Sequence, residues 1–152
     1  VWLPRLCYTK PIEYTNGSEV GRGMTVRVVV VDMQNRLFSD AVSQILSRFD
    51  SDFQVYQAES PDQTEELCMD TRANILIMEV TAYAPWTLEE RLNLRNCVKS
   101  RDPACKVVLV VDETVEKKLA DSVRRAKKDG LIDNFIYGSV SATYLTAVID
   151  TL

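Results

Sequence analysis

The sequence predicts a doubly wound α/β domain, a five-stranded parallel sheet in the order 2-1-3-4-5 with helices on both faces. Three observations lead there. Short runs rich in β-branched residues alternate with longer amphipathic segments from Thr25 onward. Three of the runs, Val26–Val31, Asn74–Val80 and Lys106–Val111, are almost continuously apolar, as strands buried on both faces are. The strand-helix unit recurs five times, and right-handed crossovers then place the helices on both faces of one sheet.

Taken in order, Val26–Val31 is the first strand, interrupted only by Arg27. A helix follows, and the i, i+4, i+8 spacing of Leu37, Ala41, Ile45, Leu46 and Phe49 is expected to form its buried face. Asp52–Ala58 alternates polar and apolar like an edge strand. Ser60 as N-cap, with Pro61 at the first helical position, opens a helix that reaches about Asp70. Asn74–Val80 is a central strand, apolar except for Glu79. Beyond a loop holding Pro85 and Trp86, Thr87 caps a helix to about Lys99, with Leu88, Leu92, Arg95 and Val98 as a mixed face. Lys106–Val111 is the next buried strand. Asp112–Lys128 reads as a strongly charged helix with Val115, Leu119, Val123 and Ala126 inward, ended by Gly130. Ile132–Tyr137 is the fifth strand and Ser141–Leu152 the fifth helix. In such sheets the functional crevice lies beyond the carboxyl ends of the strands, where the strand order reverses. Asp32, Glu79, Val111 with Asp112, and Gly138 therefore stand at its rim.

Residues 1–23 differ from the rest. They hold two of the five prolines and three of the five glycines, show no helical or strand period, and carry a slight basic excess, whereas 24–152 is acidic. Met24 has the look of a natural start. Two readings of 1–23 stand: a non-native or flexible extension, or an arm that packs on a partner through Trp2, Leu3, Leu6 and Tyr8.

Composition excludes several function classes. With 152 residues, 46 % hydrophobic and 26 % charged, the chain suits one ordinary globular domain. A net charge of −4 disfavours direct contact with nucleic acid or an anionic membrane, so DNA contact would need a further domain. There is no histidine, which removes Ser-His-Asp and Cys-His chemistry and histidine metal ligands together. The four cysteines form no C-x-x-C pair and are expected to be small buried hydrophobes in a reducing compartment. No apolar run approaches the roughly 20 residues that span a bilayer, and the first residues lack a signal-peptide progression, so a cytoplasmic location is expected. No glycine-rich phosphate loop supports a flavin or nucleotide carrier.

Asp32 and Glu79 end neighbouring buried strands. As a pair they are a minimal oxygen site for Mg²⁺. As separate residues they are the polar strand ends that any chain needs where it meets water. Both readings stand on the residues alone.

Val26–Asp32, the Leu37-Phe38 helix, Ile75–Glu79, Val107–Val111 and Asp133–Gly138 together resemble the receiver domain of two-component response regulators, with its flavodoxin-like fold, over essentially all of 24–152. The likeness lies in architecture and spacing more than in reactive groups. In that family two acids close the first strand, a phosphorylated aspartate the third, a Thr or Ser the fourth and a Lys the fifth. Here Asp32 retains the first acid and Met33 replaces the second. Glu79 holds the phospho-acceptor position, the hydroxyl position falls on Val111 or Asp112, and the lysine position falls on Gly138. Phe135 stands for the aromatic switch residue.

Receiver phosphorylation needs a metal, a hydroxyl and an ammonium around the phosphoryl oxygens. Methionine, valine and glycine supply none of these. The resemblance thus implies an atypical, non-enzymatic receiver that regulates or dimerises without aspartyl phosphate, with no cofactor beyond a weakly held Mg²⁺ and no strong cation to read Glu79. Glu79 either mimics a phosphorylated state or lies in a pocket with no switching role. A phosphotransfer-competent receiver using Glu79 with Mg²⁺, or a stand-alone protein-binding adaptor, are the alternatives. The implied partner face comprises the fourth helix with its basic strip (Lys117 and Lys118 after Glu116, then Arg124, Arg125, Lys127 and Lys128), the fifth strand with Phe135 and Tyr137, and the fifth helix. A protein partner or a second copy would dock there, and DNA contact would come only through an output domain beyond Leu152, as in a transcription regulator.

Overall fold

The computed structural model describes residues 26–152, so the expectations for 1–23, including Cys7, lie outside the described residues. The elements alternate as predicted: β1 (Arg27–Asp32), α1 (Arg36–Phe49), β2 (Phe53–Gln57), α2 (Pro61–Thr71), β3 (Ile75–Val80), α3 (Leu88–Arg101), β4 (Lys106–Val111), α4 (Lys117–Lys128), β5 (Asn134–Tyr137) and α5 (Ala142–Asp150). All strands are parallel, in the order β2-β1-β3-β4-β5. Among the described residues no helix is long and apolar enough to cross a membrane.

Successive side chains of a strand point to opposite faces, and this parity divides the core in two. Val30, Leu76, Met78, Leu109 and Val111 face a layer completed by Cys68 of α2, Val98 of α3 and Val123 of α4. Val29, Val31, Ile75, Ile77, Val108 and Val110 face α1 and α5, through Val42, Leu46, Leu145 and Ile149. Each such buried aliphatic side chain contributes roughly 1.5–3 kcal/mol, which is why the three central strands can be almost wholly apolar.

Four details differ from expectation. On α1 the buried stripe is Ser39, Val42 and Leu46, while Ala41 is exposed, Leu37 is 82 % exposed and Phe49 50 %. A strict i+4 row advances about 400° per step rather than 360°, so Phe49 lies about 120° around the helix from Leu37. The fourth helix begins five residues later than predicted. Asp112 accepts hydrogen bonds from the Thr114 N–H (2.9 Å) and hydroxyl (2.6 Å), forming a turn that leaves Val115 exposed ahead of the helix. β5 starts at Asn134, because Asp133 is drawn toward β4, its carboxylate taking the Val107 N–H at 2.7 Å. Cys97 is exposed, whereas Cys68 and Cys105 are buried, and all three are free thiols.

Helix starts follow their sequence signals. Thr87 and Glu90 form a reciprocal capping box at α3, and Ser141 caps α5. Ser60 occupies the N-cap position of α2 without a side-chain cap bond, Pro61 fixing the first turn instead. Gly130, at φ +75°, turns the chain out of α4.

Candidate functional site

The carboxyl end of the sheet gathers the residues singled out above, but strand parity separates the two acids. Asp32 is in register with Met78, and both belong to the face covered by α2 and α3. Glu79, one residue on, turns to the α1 side. Met33 does the same, 6 % exposed and packed in the α1–α5 core. Asp32 and Glu79 therefore do not face one another as a cation-binding pair, and the residue sharing Glu79's side is a thioether.

Asp32 meets a cation of the protein's own. It is 1 % exposed, and Arg91, also 1 % exposed, approaches from α3. Arg91 Nη1 donates to Asp32 Oδ2 at 2.6 Å, and Nη2 donates to Oδ1 and to the Asp32 carbonyl, each at 3.2 Å. The remaining guanidinium edge is used as well: Nε donates to the Glu79 carbonyl at 2.8 Å. Thr64 of α2 adds a hydroxyl donor to Asp32 Oδ2 at 2.7 Å. A planar guanidinium matches a carboxylate with two parallel bonds, so one arginine ties the ends of β1 and β3 to α3 while Thr64 ties in α2. The capping box fixes the first turn of α3, which sets Arg91, in its second turn, over the strand ends.

The expectation that no strong cation reaches this hollow is thereby corrected. The cation comes from the third helix rather than from the end of β5, and it neutralises Asp32 rather than Glu79. The sequence signal was present, because Arg91 lies on the Leu88, Leu92 and Val98 stripe.

Glu79 is half-buried, and its Oε2 accepts the Asn35 backbone N–H at 3.1 Å. Asn35 is the N-cap of α1, its own side chain accepting from Phe38 N–H. The Glu79 carboxylate thus lies at a helix N-terminus, where unpaired N–H groups and the macrodipole favour negative charge.

The other strand ends carry no reactive group into the hollow. Val111 is buried in the core. Asp112 is exposed, its carboxyl held below the usual carboxylate range first by the Thr114 hydroxyl and then by the Thr114 and Val115 N–H groups. Gly138 donates its N–H to the Val111 carbonyl at 2.9 Å, and a Cβ there would meet nothing nearer than 3.9 Å. The loop after β4 adds further carboxylates: Glu113 accepts the Ser139 hydroxyl, and Glu116 accepts the Ala82 N–H at 3.3 Å.

These residues do not fit Mg²⁺. A cation beside Asp32 would have to displace the guanidinium from both oxygens, and on Glu79's side of the sheet the residue following β1 is Met33, a thioether and a soft donor that hard cations avoid. Among the described residues no group of three or more His, Cys, Asp or Glu side chains is placed to hold a metal ion.

On the opposite side of the rim, Phe135 and Tyr137 pack edge to face at 5.4 Å. Both carry cations from α4: Lys127 Nζ lies 5.8 Å from the Phe135 ring centre and Arg124 donates to the Tyr137 hydroxyl at 2.7 Å. With Val140, Ser141 and Tyr144 the two rings line a groove of about 290 Å³.

Solved structures share this fold. The receiver domain of AraT, a response regulator from Geobacillus stearothermophilus, matches with a TM-score of 0.65 at 16 % identity, over 83 % of this chain and 92 % of that one. A response regulator from Thermotoga maritima matches with a TM-score of 0.65 at 20 % identity, over 83 % and 96 %. A CheY-like protein, tadZ, from Pseudomonas aeruginosa matches with a TM-score of 0.63 at 22 % identity, over 82 % and 98 %. No family model and no curated protein matches the sequence. The fold is that of response-regulator receiver domains, and at these identities the likeness speaks for the fold alone.

Proposed function

We infer that this domain is a receiver-type module of signal transduction that works without a phosphoryl group and is not itself an enzyme. The observation that carries the reading is the bidentate Arg91–Asp32 pair, which holds a fixed positive charge within the rim where a receiver's metal chemistry would require an available carboxylate. The thioether of Met33, the aliphatic Val111 and the side-chain-free Gly138 support it, since none offers a donor to a phosphoryl oxygen. No cofactor is required on this reading. Glu79, hydrogen-bonded to Asn35, supplies a standing negative charge at the start of α1.

Output runs through a protein partner on the face of α4, β5 and α5. Lys117, Lys118, Arg124, Arg125, Lys127 and Lys128 are exposed along α4 against a single acid, Asp121. Two copies meeting symmetrically there would set cation against cation, so the face suits an acidic polypeptide. DNA contact belongs to a separate output domain, and the free thiols of Cys68, Cys97 and Cys105 agree with a reducing, cytoplasmic setting.

The test is incubation of the protein with Mg²⁺ and radiolabelled acetyl phosphate, beside a Glu79→Gln variant. The same background signal for both is expected. Stable label present in the parent and lost in the variant overturns the reading and establishes phosphotransfer to Glu79.

A further inference from the structure

The sheet ends in two edge strands, β2 and β5, and the chemistry at the β2 edge is self-complementary. β2 is an edge strand of sequence Phe-Gln-Val-Tyr-Gln, with no charge and no proline, the features that ordinarily protect such edges. The bonds at the two ends of its ladder fix its phase: Arg27 N–H donates to the Asp52 carbonyl and Ala58 N–H to the Val31 carbonyl. Backbone groups alternate inward and outward along a strand. Gln54 and Tyr56 therefore turn theirs to β1, while Val55 and Gln57 turn theirs to the open edge.

Beside that edge α1 and β2 enclose a groove of about 250 Å³, lined by Asp40, Ser43, Gln44, Arg48, Val55 and Gln57. Asp40 and Arg48 are both exposed; Asp40 Oδ1 accepts the Gln57 side-chain amide at 3.0 Å, but among the described residues neither charge has an ion-pair partner. They lie eight residues, or about 12 Å, apart along the helix, too far to pair within one chain. They are also equally spaced about Gln44, four residues to either side, and Gln44 lines the groove together with Val55, the central residue of β2.

We propose that β2 pairs antiparallel with β2 of a second copy of this chain about a two-fold axis at Val55, joining two sheets into one of ten strands. The axis places both α1 helices on the same face, antiparallel, and exchanges the ends of each. Asp40 of one copy then meets Arg48 of the other, and the reverse, so that both unpaired charges are matched by the same operation that pairs the strand edges. Ser43 and the uncharged Gln44 sit near the axis, where identical residues meet without like-charge repulsion. The strand supplies main-chain hydrogen bonds and the helix pair fixes the register. This inference is independent of the function proposed above and uses a different face.

Sedimentation velocity of the full chain across the micromolar range tests it, with Asp40→Arg, Arg48→Asp and the double charge swap. A concentration-dependent dimer is expected, weakened roughly tenfold by each single reversal, which sets like charges opposite, and restored by the double swap. Hydrogen exchange should show the Val55 and Gln57 amides protected only at dimer-forming concentrations. A monomer at every concentration, a dimer indifferent to the reversals, or one that the double swap does not restore overturns the proposal. So does protection of the two amides in the monomer.

Discussion

Asp32 and Arg91 form a buried, two-pronged ion pair across 59 residues of sequence, each side chain almost fully withdrawn from solvent. Every oxygen of Asp32, including its carbonyl, accepts from the guanidinium, and Thr64 completes the set. The pair ties the end of the first strand to the third helix as a metal would tie its ligands, without the metal's exchangeability.

Removing one member of such a pair strands the other charge. Arg91→Met is expected to cost about 3–5 kcal/mol, Asp32→Asn a similar amount, and the double variant much less than the sum, because an apolar or neutral replacement of a whole buried pair is often tolerated. Urea unfolding of the four proteins checks this. Thr64→Val, which removes one donor and leaves the ion pair, should lose only about 1–2 kcal/mol.

Glu79 at the start of α1 should behave as a helix-terminal charge. Glu79→Gln retains a carbonyl acceptor for the Asn35 N–H and forfeits only the charge, so a loss of about 0.5–1 kcal/mol is expected, diminishing with added salt. Chemical denaturation at low and high ionic strength reads the difference.

The thiols should separate cleanly. Burial pushes Cys68 up to about 12 and Cys105 up to about 11, each with a smaller contribution from nearby negative groups. Because the thiolate is the reactive form, iodoacetamide at mildly alkaline pH should label exposed Cys97 in the native protein and reach Cys68 and Cys105 only on unfolding. Peptide mapping by mass spectrometry identifies the sites.

Acid should act through Asp133. Burial pushes its carboxyl up, but the Val107 N–H, then the hydrogen bond and charge of Lys99, then the charge of Lys106 outweigh it, and the group lies below the ordinary aspartate value. A carboxyl depressed in the folded state contributes stability that is fully present above its unfolded value of about 3.9 and is lost as pH falls through the folded value. Asp133→Asn should therefore be less stable than the parent by roughly 1–2 kcal/mol at neutral pH, and the difference should shrink below about pH 4. Thermal melts along a pH series test this.

Much of the architecture was legible because strand parity and the central apolar runs are local signals. Val29 and Val30 announce a strand buried on both faces, and Pro61, Thr87 and Ser141 mark their helices directly. What escaped depends on distance in sequence. Arg91 lies on an apolar stripe, which marks it as inward-facing, but nothing near it in sequence reveals a partner in Asp32. The opposed directions of Asp32 and Glu79 are themselves local, since Asp32 continues the parity of Val30 whereas Glu79 continues that of Ile77. The late start of α4 is set by the Asp112 side chain, whose capture of the Thr114 and Val115 N–H groups outweighs the helical tendency of the charged residues that follow.

The open surroundings of Gly138 bear on how reactivity is distributed over this rim. A first methylene there would sit at ordinary van der Waals distance from the Val111 and Asp112 backbone, so crowding does not account for the missing amine. An amine grafted at that position would find one acid already engaged with a helix start and the other turned into the opposite layer. On the function proposed above, chemistry at these strand ends would require several side chains acting together, so a Gly138→Lys replacement by itself is expected to add a cation without creating a phosphoryl site.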